Sequence, residues 1–353
     1  MEDQGRPNLA EHLRQQYIHC ATDMLLPGTR FGLKSPTDTL LIFLLVIYLS
    51  VFLFGCASEI VDEQFAPTDT YEQYVDALQK LGIDDRLMGV TWIAAGEEAL
   101  RPEKTIDLPF TFQGIFDPAK PSAIGLRFEV IRGRRIEIMF ETKNERGETL
   151  LDFPYFVDVF RTDDSVDSAI THIASLPANS SRIHFEPRRN GLYLLRVQPE
   201  LLAGSEYTIT IVEVPSLAFP VAGKDKISIG SFFGDSRDGG AREHHGIDIF
   251  AIRGTNVLAP SPAIVRRVGT RGLGGKTVVL WDQERSLNLY FAHLDSQLVR
   301  NGERVRPGDV IGTVGNTGNA ITTSPHLHFG IYTQYWQPID PYSFVVAELV
   351  DNG

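Results

Sequence analysis

The chain has 353 residues, of which 43% are hydrophobic and 22% are charged. This length predicts two folded domains and a targeting segment, and the composition is that of a globular protein. The formal net charge of −12 excludes a typical nucleic-acid-binding protein, which needs clustered Lys and Arg to neutralise phosphates. Because Cys20 and Cys56 are the two cysteines, the sequence supports neither a disulfide framework nor a four-cysteine zinc site. Any metal must therefore be bound by His, Asp or Glu.

The first predicted element is an uncharged apolar run from Leu40 to Phe54. At about 15 residues it is shorter than a membrane-spanning helix and has the length of a signal-peptide core. The run ends in LFGC, where Cys56 resembles the lipidated cysteine of bacterial lipoproteins, although Phe54 stands where a small residue is usual. Because the residues before Met24 are polar and acidic, Met1 and Met24 are both candidate starts. Export is therefore predicted, with a lipidated Cys56 or an uncleaved anchor at the membrane.

A short linker precedes a predicted helical segment. The first helix begins at Thr70, which has capping-box spacing to Gln73, and Gly82 marks its end. Tyr74, Leu78 and Leu81 are expected to share its apolar face. A second helical stretch is expected to follow, and both should pack on a neighbouring domain.

Between about Phe110 and Val214 the hydrophobic residues recur with a period of two. The segment RRIEIMFET alternates Ile136, Ile138 and Phe140 with charged or flexible residues, and GLYLLRV and EYTITIVEV are further predicted strands. This pattern predicts an antiparallel β-sandwich. The segments RNGLYLLRV and SEYTITI resemble small sandwich modules of secreted bacterial peptidases. An accessory, substrate-presenting role and a purely structural role both remain open.

From about Phe219 to Phe344 the glycine content rises and short predicted strands alternate with turns, which indicates a compact all-β domain. Two Gly-rich segments, Gly272 to Gly275 and Gly312 to Gly318, are expected to form either the walls of a groove or tight turns.

Five of the nine histidines lie in three clusters of this domain, EHHGIDIF, YFAHLD and SPHLHFGIY. Side chains two residues apart share one face of a strand, so His326 and His328 should enter one cleft. The same period places His244 and Asp248 on one face, and Gly246 between them leaves room for a close approach. Two histidines and a carboxylate can bind tetrahedral zinc and leave a fourth position for water. The remaining histidines have no partner at ligand spacing and are interpreted as ordinary residues: His12, His19, His172 and His184.

These motifs together resemble the signature of the lysostaphin-type, or LytM-domain, zinc metalloendopeptidases. They are HxGxD at His244 to Asp248, an aromatic-Ala-His-Leu sequence at Phe291 to Leu294, and HLH at His326 to His328. The resemblance covers about residues 219–344 and includes SFFGDSRDGG, RVRPGDVIGTVGNTGN and PIDPYSF.

By position, the resemblance implies a zinc ion bound by His244, Asp248 and His328. His293 and His326 would then be the non-ligand histidines that face the metal-bound water. Since the sequence has no HExxH motif, these two are expected to share proton transfer and oxyanion stabilisation, and the sequence leaves open which does which.

Three positions qualify this assignment. His245 competes with His244 as the first ligand, although the spacing to the following Gly and Asp favours His244. Ser324 stands where a Gly is common, and Phe291 stands where a Tyr is frequent. Both are expected to line the substrate site, so they bear on substrate fit more than on catalysis.

The resemblance implies hydrolysis of peptide bonds in peptidoglycan stem peptides or cross-links, on the periplasmic side of a bacterial envelope. A non-catalytic LytM-domain regulator of a separate wall amidase and a scaffold lipoprotein are the alternatives.

The predicted fold class is mainly β, with a C-terminal antiparallel β-sheet or hybrid-barrel peptidase domain after a β-sandwich. The predicted boundaries are 1–56 for the leader and signal, 57–69 for a linker, 70–104 for the helical segment, 105–216 for the sandwich, 217–346 for the peptidase domain and 347–353 for a tail.

Overall fold

The computed structural model describes residues 70–143, 154–162, 169–177, 180–270 and 272–347. All of these belong to one compact unit, Pro67–Gly353. The predicted signal segment, Cys56 and the linker lie outside the described residues. Within the described ranges, no helix has the length and apolar character that a membrane crossing requires.

Two helices open the described chain, α1 (Thr70–Lys80) and α2 (Leu87–Glu98), which confirms both helical predictions. Gly82 adopts φ 62° and ends the first helix in the left-handed conformation that glycine favours. The prediction for Leu81 is wrong, because the helix stops at Lys80 and the Leu81 side chain remains 71% exposed. Trp92 of α2 is fully buried and donates its indole N–H to the Pro199 carbonyl at 2.7 Å.

Nine strands of the described chain form the sandwich. They are β1 (Thr105–Ile106), β2 (Phe110–Phe116), β3 (Ile124–Val130), β4 (Arg134–Lys143), β5 (Tyr155–Thr162), β6 (Thr171–Ser175), β7 (Arg182–Phe185), β8 (Gly191–Pro199) and β9 (Ser205–Pro215). One sheet has the order β1-β3-β8-β5-β6 and the other β2-β9-β4-β7. As predicted, β4 buries Ile136, Ile138 and Phe140. The sandwich is antiparallel as predicted except at one edge, where the chain arriving from the helices runs parallel to β3 as β1.

Thirteen strands of the described chain follow: β10 (Ile229–Ser231), β11 (Ser236–Arg237), β12 (Arg242–Glu243), β13 (Ile247–Phe250), β14 (Asn256–Leu258), β15 (Ala263–Thr270), β16 (Lys276–Asp282), β17 (Leu287–Ala292), β18 (Leu294–Gln297), β19 (Arg304–Val305), β20 (Val310–Val314), β21 (His326–Thr333) and β22 (Pro338–Ile339). Short 3-10 turns at Lys226–Ser228, Asp238–Gly240 and Gly318–Ala320 and a helix α3 (Tyr342–Val345) complete the domain. The main sheet has the order β10-β13-β21-β17-β16-β15-β19, with β22 beside β21. β14, β20 and β18 form a second sheet, and β11 pairs with β12. The mainly β fold class is confirmed.

The main sheet separates a core face from a polar face at its centre. Ile249 of β13 and Leu327 and Phe329 of β21 are fully buried in the hydrophobic core. Because alternate residues of a strand point to opposite faces, the residues between them, Asp248 and His328, point away from this core. The two strands are in register at this level, with Asp248 and His328 as directly paired residues.

The sandwich contacts the main sheet at the end remote from this polar face. Arg285, in the turn between β16 and β17, pairs with Glu186 of the sandwich at 2.6 Å and with Asp282 at 3.0 Å. β17 then runs six residues, about 20 Å, to His293. Asp282 is fully buried, so Arg285 neutralises a carboxylate that has no contact with water.

We expect the Arg285→Ala substitution to lower the free energy of unfolding by about 3 kcal/mol, because it leaves two largely buried carboxylates without their cation. Guanidinium denaturation followed by tryptophan fluorescence measures this change. Arg86→Ala is the matched control, since Arg86 pairs with Asp85 on an exposed surface and should change the free energy by less than about 1 kcal/mol. Equal effects of the two substitutions would contradict a stabilising ion pair at the domain interface.

Candidate metal centre

Three predicted ligand residues converge on the polar face of the main sheet. Asp248 lies in β13 and His328 in β21. The strand placement predicted for His244 is wrong, because this residue lies in the segment between β12 and β13. His244 reaches the same point because its Nδ1 donates to the Phe232 carbonyl at 2.8 Å and its backbone N–H donates to the Asp235 carbonyl at 2.9 Å.

The ligand atoms form a nearly equilateral triangle. His244 Nε2 lies 3.0 Å from Asp248 Oδ1 and 2.9 Å from His328 Nδ1, and His328 Nδ1 lies 3.1 Å from Asp248 Oδ1. Tetrahedral zinc with ligands at about 2.0 to 2.2 Å places those ligands about 3.3 to 3.6 Å apart. The spacing and the donor set of two imidazoles and one carboxylate therefore fit zinc after a small outward adjustment.

The charge states of these groups also suit a cation. Burial opposes ionisation of Asp248, but hydrogen bonds from His244 and His328 outweigh it and hold the pKa of Asp248 well below its usual range. Burial lowers the pKa of His328, so its imidazole is neutral at neutral pH. Arg237 donates from Nη2 to Asp248 Oδ2 at 2.8 Å. This contact directs the other carboxylate oxygen, Oδ1, towards the two histidines.

Gly246 makes this convergence sterically possible. A Cβ atom at this position would lie 2.5 Å from the Phe329 carbonyl oxygen and 2.8 Å from Cε1 of His328. Both distances are shorter than van der Waals contact, so the backbone between His244 and Asp248 can approach β21 this closely only without a side chain.

His293, the first predicted non-ligand histidine, lies beside this triangle. It separates β17 from β18 and has φ 61°, a left-handed conformation that is rare outside glycine. Its backbone N–H donates to the Gly274 carbonyl at 2.8 Å, and its Nδ1 donates to the Thr317 carbonyl at 2.8 Å. Burial lowers the pKa of His293 to about 4. The ring is therefore neutral near pH 7, with the Nε2 lone pair available to accept a proton.

His326, the second predicted non-ligand histidine, lies two residues before His328 on the same face of β21, as the strand period predicted. Its Nδ1 donates to the Ser324 carbonyl at 2.8 Å. Its Nε2 lies 4.0 Å from Asp248 Oδ1, and its ring centroid is 5.0 Å from that of His293. Two imidazoles with fixed Nδ1 donors thus stand together beside the ligand triangle.

The five residues lie in a cleft of about 780 Å³, and its lining comes from residues 230–336 without any contribution from the sandwich. The first Gly-rich segment serves both predicted roles, whereas none of residues 312–318 lines the cleft. Leu273 and Gly274 line the cleft. Gly275 and Gly318 adopt φ values of 62° and 73°. A Cβ atom on Gly275 would lie 2.4 Å from the Gly318 nitrogen, so the two loops that hold His293 pack backbone to backbone.

Two expectations about the lining need correction. Phe291 is fully buried against the core residue Phe329, because strand alternation directs its neighbour Tyr290 to the cleft instead. Ser324 is exposed and contributes the carbonyl that orients His326.

His245 lies outside the ligand triangle. Its side chain is exposed and its ring stacks on Phe233 at 6.2 Å. Sequence reasoning missed Arg237, Tyr332 and Trp336, which also line the cleft. The signal for Tyr332 was present in the two-residue period that continues from His328.

The histidines outside the three motifs do not form a second centre in the described chain. His172 of the sandwich accepts or donates a hydrogen bond with Ser175 at 3.0 Å, but Ser175 donates directly to Asp158 at 2.6 Å. The imidazole therefore does not lie between the hydroxyl and the carboxylate, as it does in a Ser-His-Asp catalytic triad. His184 lies in β7 of the sandwich. Two further histidines lie outside the described residues: His12 and His19.

Comparisons with known proteins agree with this geometry. Residues 242–341 match the sequence profile of Peptidase family M23. An L-Ala–D-Glu endopeptidase of Bacillus subtilis is 35% identical over 148 residues, which are 38% of this chain and 45% of the relative. Peptidoglycan DD-endopeptidase ShyC of Vibrio cholerae is 35% identical over 91 residues, or 26% of this chain and 20% of the relative.

The catalytic domain of lysostaphin from Staphylococcus simulans is a similar solved structure, with 30% sequence identity, a TM-score of 0.31, and coverage of 33% of this chain and 90% of that domain. The chain spans less than half the length of the two curated relatives described. The family resemblance carried by the sequence motifs is confirmed: residues 242–341 of this chain form a Peptidase family M23 domain.

Proposed function

We propose that this protein is a zinc metalloendopeptidase that hydrolyses peptide bonds in the stem peptides or cross-links of peptidoglycan. One observation carries the proposal: His244, Asp248 and His328 converge within 4.8 Å, and His293 and His326 lie beside them in an open cleft. A complete ligand set favours hydrolysis over the regulatory alternative. The two relatives, an L-Ala–D-Glu endopeptidase and a peptidoglycan DD-endopeptidase, support the substrate class.

Zinc held by His244, Asp248 and His328 would supply a Lewis acid that polarises a carbonyl oxygen and would make water a stronger acid. The chain supplies the proton acceptors. His293 is neutral, and its Nε2 faces the cleft because Nδ1 is held by the Thr317 carbonyl. His326 Nε2 lies 4.0 Å from Asp248 Oδ1. An imidazole that accepts a proton from water at Nε2 can then deliver that proton to the departing amine, while the second ring remains available as a further acceptor.

We further propose that the chain is exported and works on the periplasmic side of a bacterial envelope. The apolar run that ends at Phe54 and the adjacent Cys56 support this location, with a lipid on Cys56 or an uncleaved anchor at the membrane.

Digestion of purified sacculi tests the activity. The purified chain should release soluble peptide-containing fragments, and mass spectrometry of the products should show cleaved peptide bonds with intact glycan. Removal of metal with a chelator should abolish release, and added zinc should restore it. Release that persists at full rate after the metal has been removed would refute a zinc mechanism.

The histidines should divide into two classes by metal content. His244→Ala should lose both bound zinc and activity, because it removes one of three protein ligands. His293→Ala should retain zinc and lose activity by at least about 100-fold, because it removes a proton acceptor. Metal analysis of the purified variants, together with sacculus digestion, measures both quantities.

His184→Ala is the matched control for activity, since His184 lies in the sandwich. His245→Ala should retain zinc, because His245 is not among the residues whose ligand atoms converge, and its ring stacks on Phe233. Loss of zinc in His245→Ala with retention in His244→Ala would reverse the assignment of the first ligand.

Gly246→Ala should release zinc although the substitution alters no ligand. The added methyl group would overlap His328 and the Phe329 carbonyl, so β13 and β21 must separate and the ligand triangle must widen. We expect at least a tenfold loss of zinc affinity in a chelator competition assay, with a lower melting temperature. Gly269→Ala is the matched control, because a Cβ atom there meets nothing within 4 Å. Unchanged zinc affinity in Gly246→Ala would show that the site tolerates a larger separation between β13 and β21.

A further inference from the structure

One wall of the cleft combines aromatic rings with guanidinium groups, and we call it the Arg267–Trp336 wall. It comprises Tyr290, Tyr332, Trp336, Arg242 and Arg267. Tyr290, Tyr332, Trp336 and Arg242 line the cleft itself. Arg267 stands at its rim, with its guanidinium carbon 5.9 Å from the centre of the Trp336 ring.

The main sheet fixes the position of this wall relative to the metal centre. Tyr332 follows His328 by four residues on the same face of β21, which corresponds to about 13 Å. Arg267, Val279 and Tyr290 are paired residues on three neighbouring strands, so the wall extends sideways across the sheet. An extended peptide with its scissile bond at the metal would reach the wall within about four residues.

Trp336 is held in an unfavourable backbone conformation. It has φ 63°, in the turn between β21 and β22, and its N–H donates to the Thr333 carbonyl at 3.0 Å. Left-handed conformations are disfavoured for bulky residues. The ring is nevertheless 43% exposed and lies 5.5 Å from Tyr332. A large aromatic side chain kept half-exposed by a strained turn is typical of a binding surface.

The wall carries positive charge in a protein whose overall charge is negative. The acidic residues that line the cleft, within the part of the chain that the structure describes, are Asp235 and Asp248. Asp235 accepts hydrogen bonds from the Ser231 hydroxyl and the Phe232 N–H, and Asp248 faces the metal ligands. Arg267 is solvent-exposed and has the ring of Trp336 as its contact. Its guanidinium N–H groups therefore remain open to an incoming anion.

We propose that the Arg267–Trp336 wall binds a carboxylate of the peptide substrate, so that the cleft selects acidic peptides. Arg267 pairs with the carboxylate and the Trp336 and Tyr332 rings pack against the peptide beside it. Arg242, which also lines the cleft, adds a second positive charge. The inference rests on the proposed peptidase function, because it identifies which peptides that cleft accepts.

Binding of four synthetic peptides tests this proposal. Each is an N-acetylated alanine pentapeptide, with one internal glutamate or glutamine and with a free or an amidated C-terminus. Affinities are measured by calorimetry with the zinc-loaded His293→Ala chain, in which turnover does not consume the peptide. We expect the glutamate peptides to bind about fivefold more tightly than the glutamine peptides. If the peptides with a free C-terminus bind more tightly than the amidated peptides instead, the recognised group is the C-terminal carboxylate of the peptide.

Arg267→Ala in the same background should make the affinities of all four peptides equal. Arg306→Ala is the matched control, since it removes one exposed positive charge from the same domain and should preserve the preference. Equal affinities in the parent chain, or equal losses in the two variants, would overturn the proposal. If peptide binding depends on the carboxylate but the chain releases no fragments from sacculi, the peptidase function is refuted and the carboxylate-binding site is still supported.

Trp336→Gly separates binding from folding. Glycine relieves the left-handed strain, so the melting temperature should stay unchanged or rise. All four peptides should bind more weakly, because the packing surface is lost. A lower melting temperature with unchanged peptide affinity would show that Trp336 has a structural role only.

Discussion

The approach of β13 to β21 is the constraint on which the rest of the site depends. Asp248 and His328 are direct register partners, and their ligand atoms lie 3.1 Å apart. A shift of one residue in this register would turn Asp248 into the core and bring a hydrophobic side chain to the polar face. The fully buried Ile249 and Leu327 prevent that shift, because their removal from the core would lose hydrophobic burial. Core packing therefore sets the ligand geometry.

The rings of the remaining site residues are oriented by hydrogen bonds to backbone carbonyls, and for His326 this bond acts together with its strand position in β21. His244, His293 and His326 each donate from Nδ1 to a carbonyl at 2.8 Å, at Phe232, Thr317 and Ser324 respectively. In each ring this contact fixes the tautomer and leaves Nε2 facing the cleft. The same type of hydrogen bond therefore orients one candidate ligand and both candidate proton carriers.

Sequence periodicity predicted the part of the site that lies on regular strands. His326 and His328 share a face of β21, and the alternation that buries Ile136 and Ile138 in β4 has the same physical origin. His244 could not be placed in this way, since its position depends on a loop held by the distant Phe232 carbonyl.

Long-range contacts escaped sequence analysis for the same reason. Nothing in the local pattern around Arg285 indicates that its partner is Glu186, 99 residues earlier in the chain. Arg237 likewise gives no local signal, although its contact with Asp248 fixes the orientation of a ligand carboxylate. Local propensity predicts which elements form, whereas pairing between distant charged groups appears only after the chain has folded.

Backbone strain in the described chain occurs at two positions where function is proposed. Four non-glycine residues have positive φ, and two of them, His293 and Trp336, line the cleft. Each such conformation costs about 1 to 2 kcal/mol, so it persists only where the surrounding structure over-determines it. The fully buried Phe329 and the Arg285 ion pair lie outside the cleft and stabilise the sheet independently of it. A rigid sheet can therefore hold strained residues at its open face. If these residues relaxed to ordinary backbone conformations, the protein would become more stable and the binding geometry of the cleft would be lost.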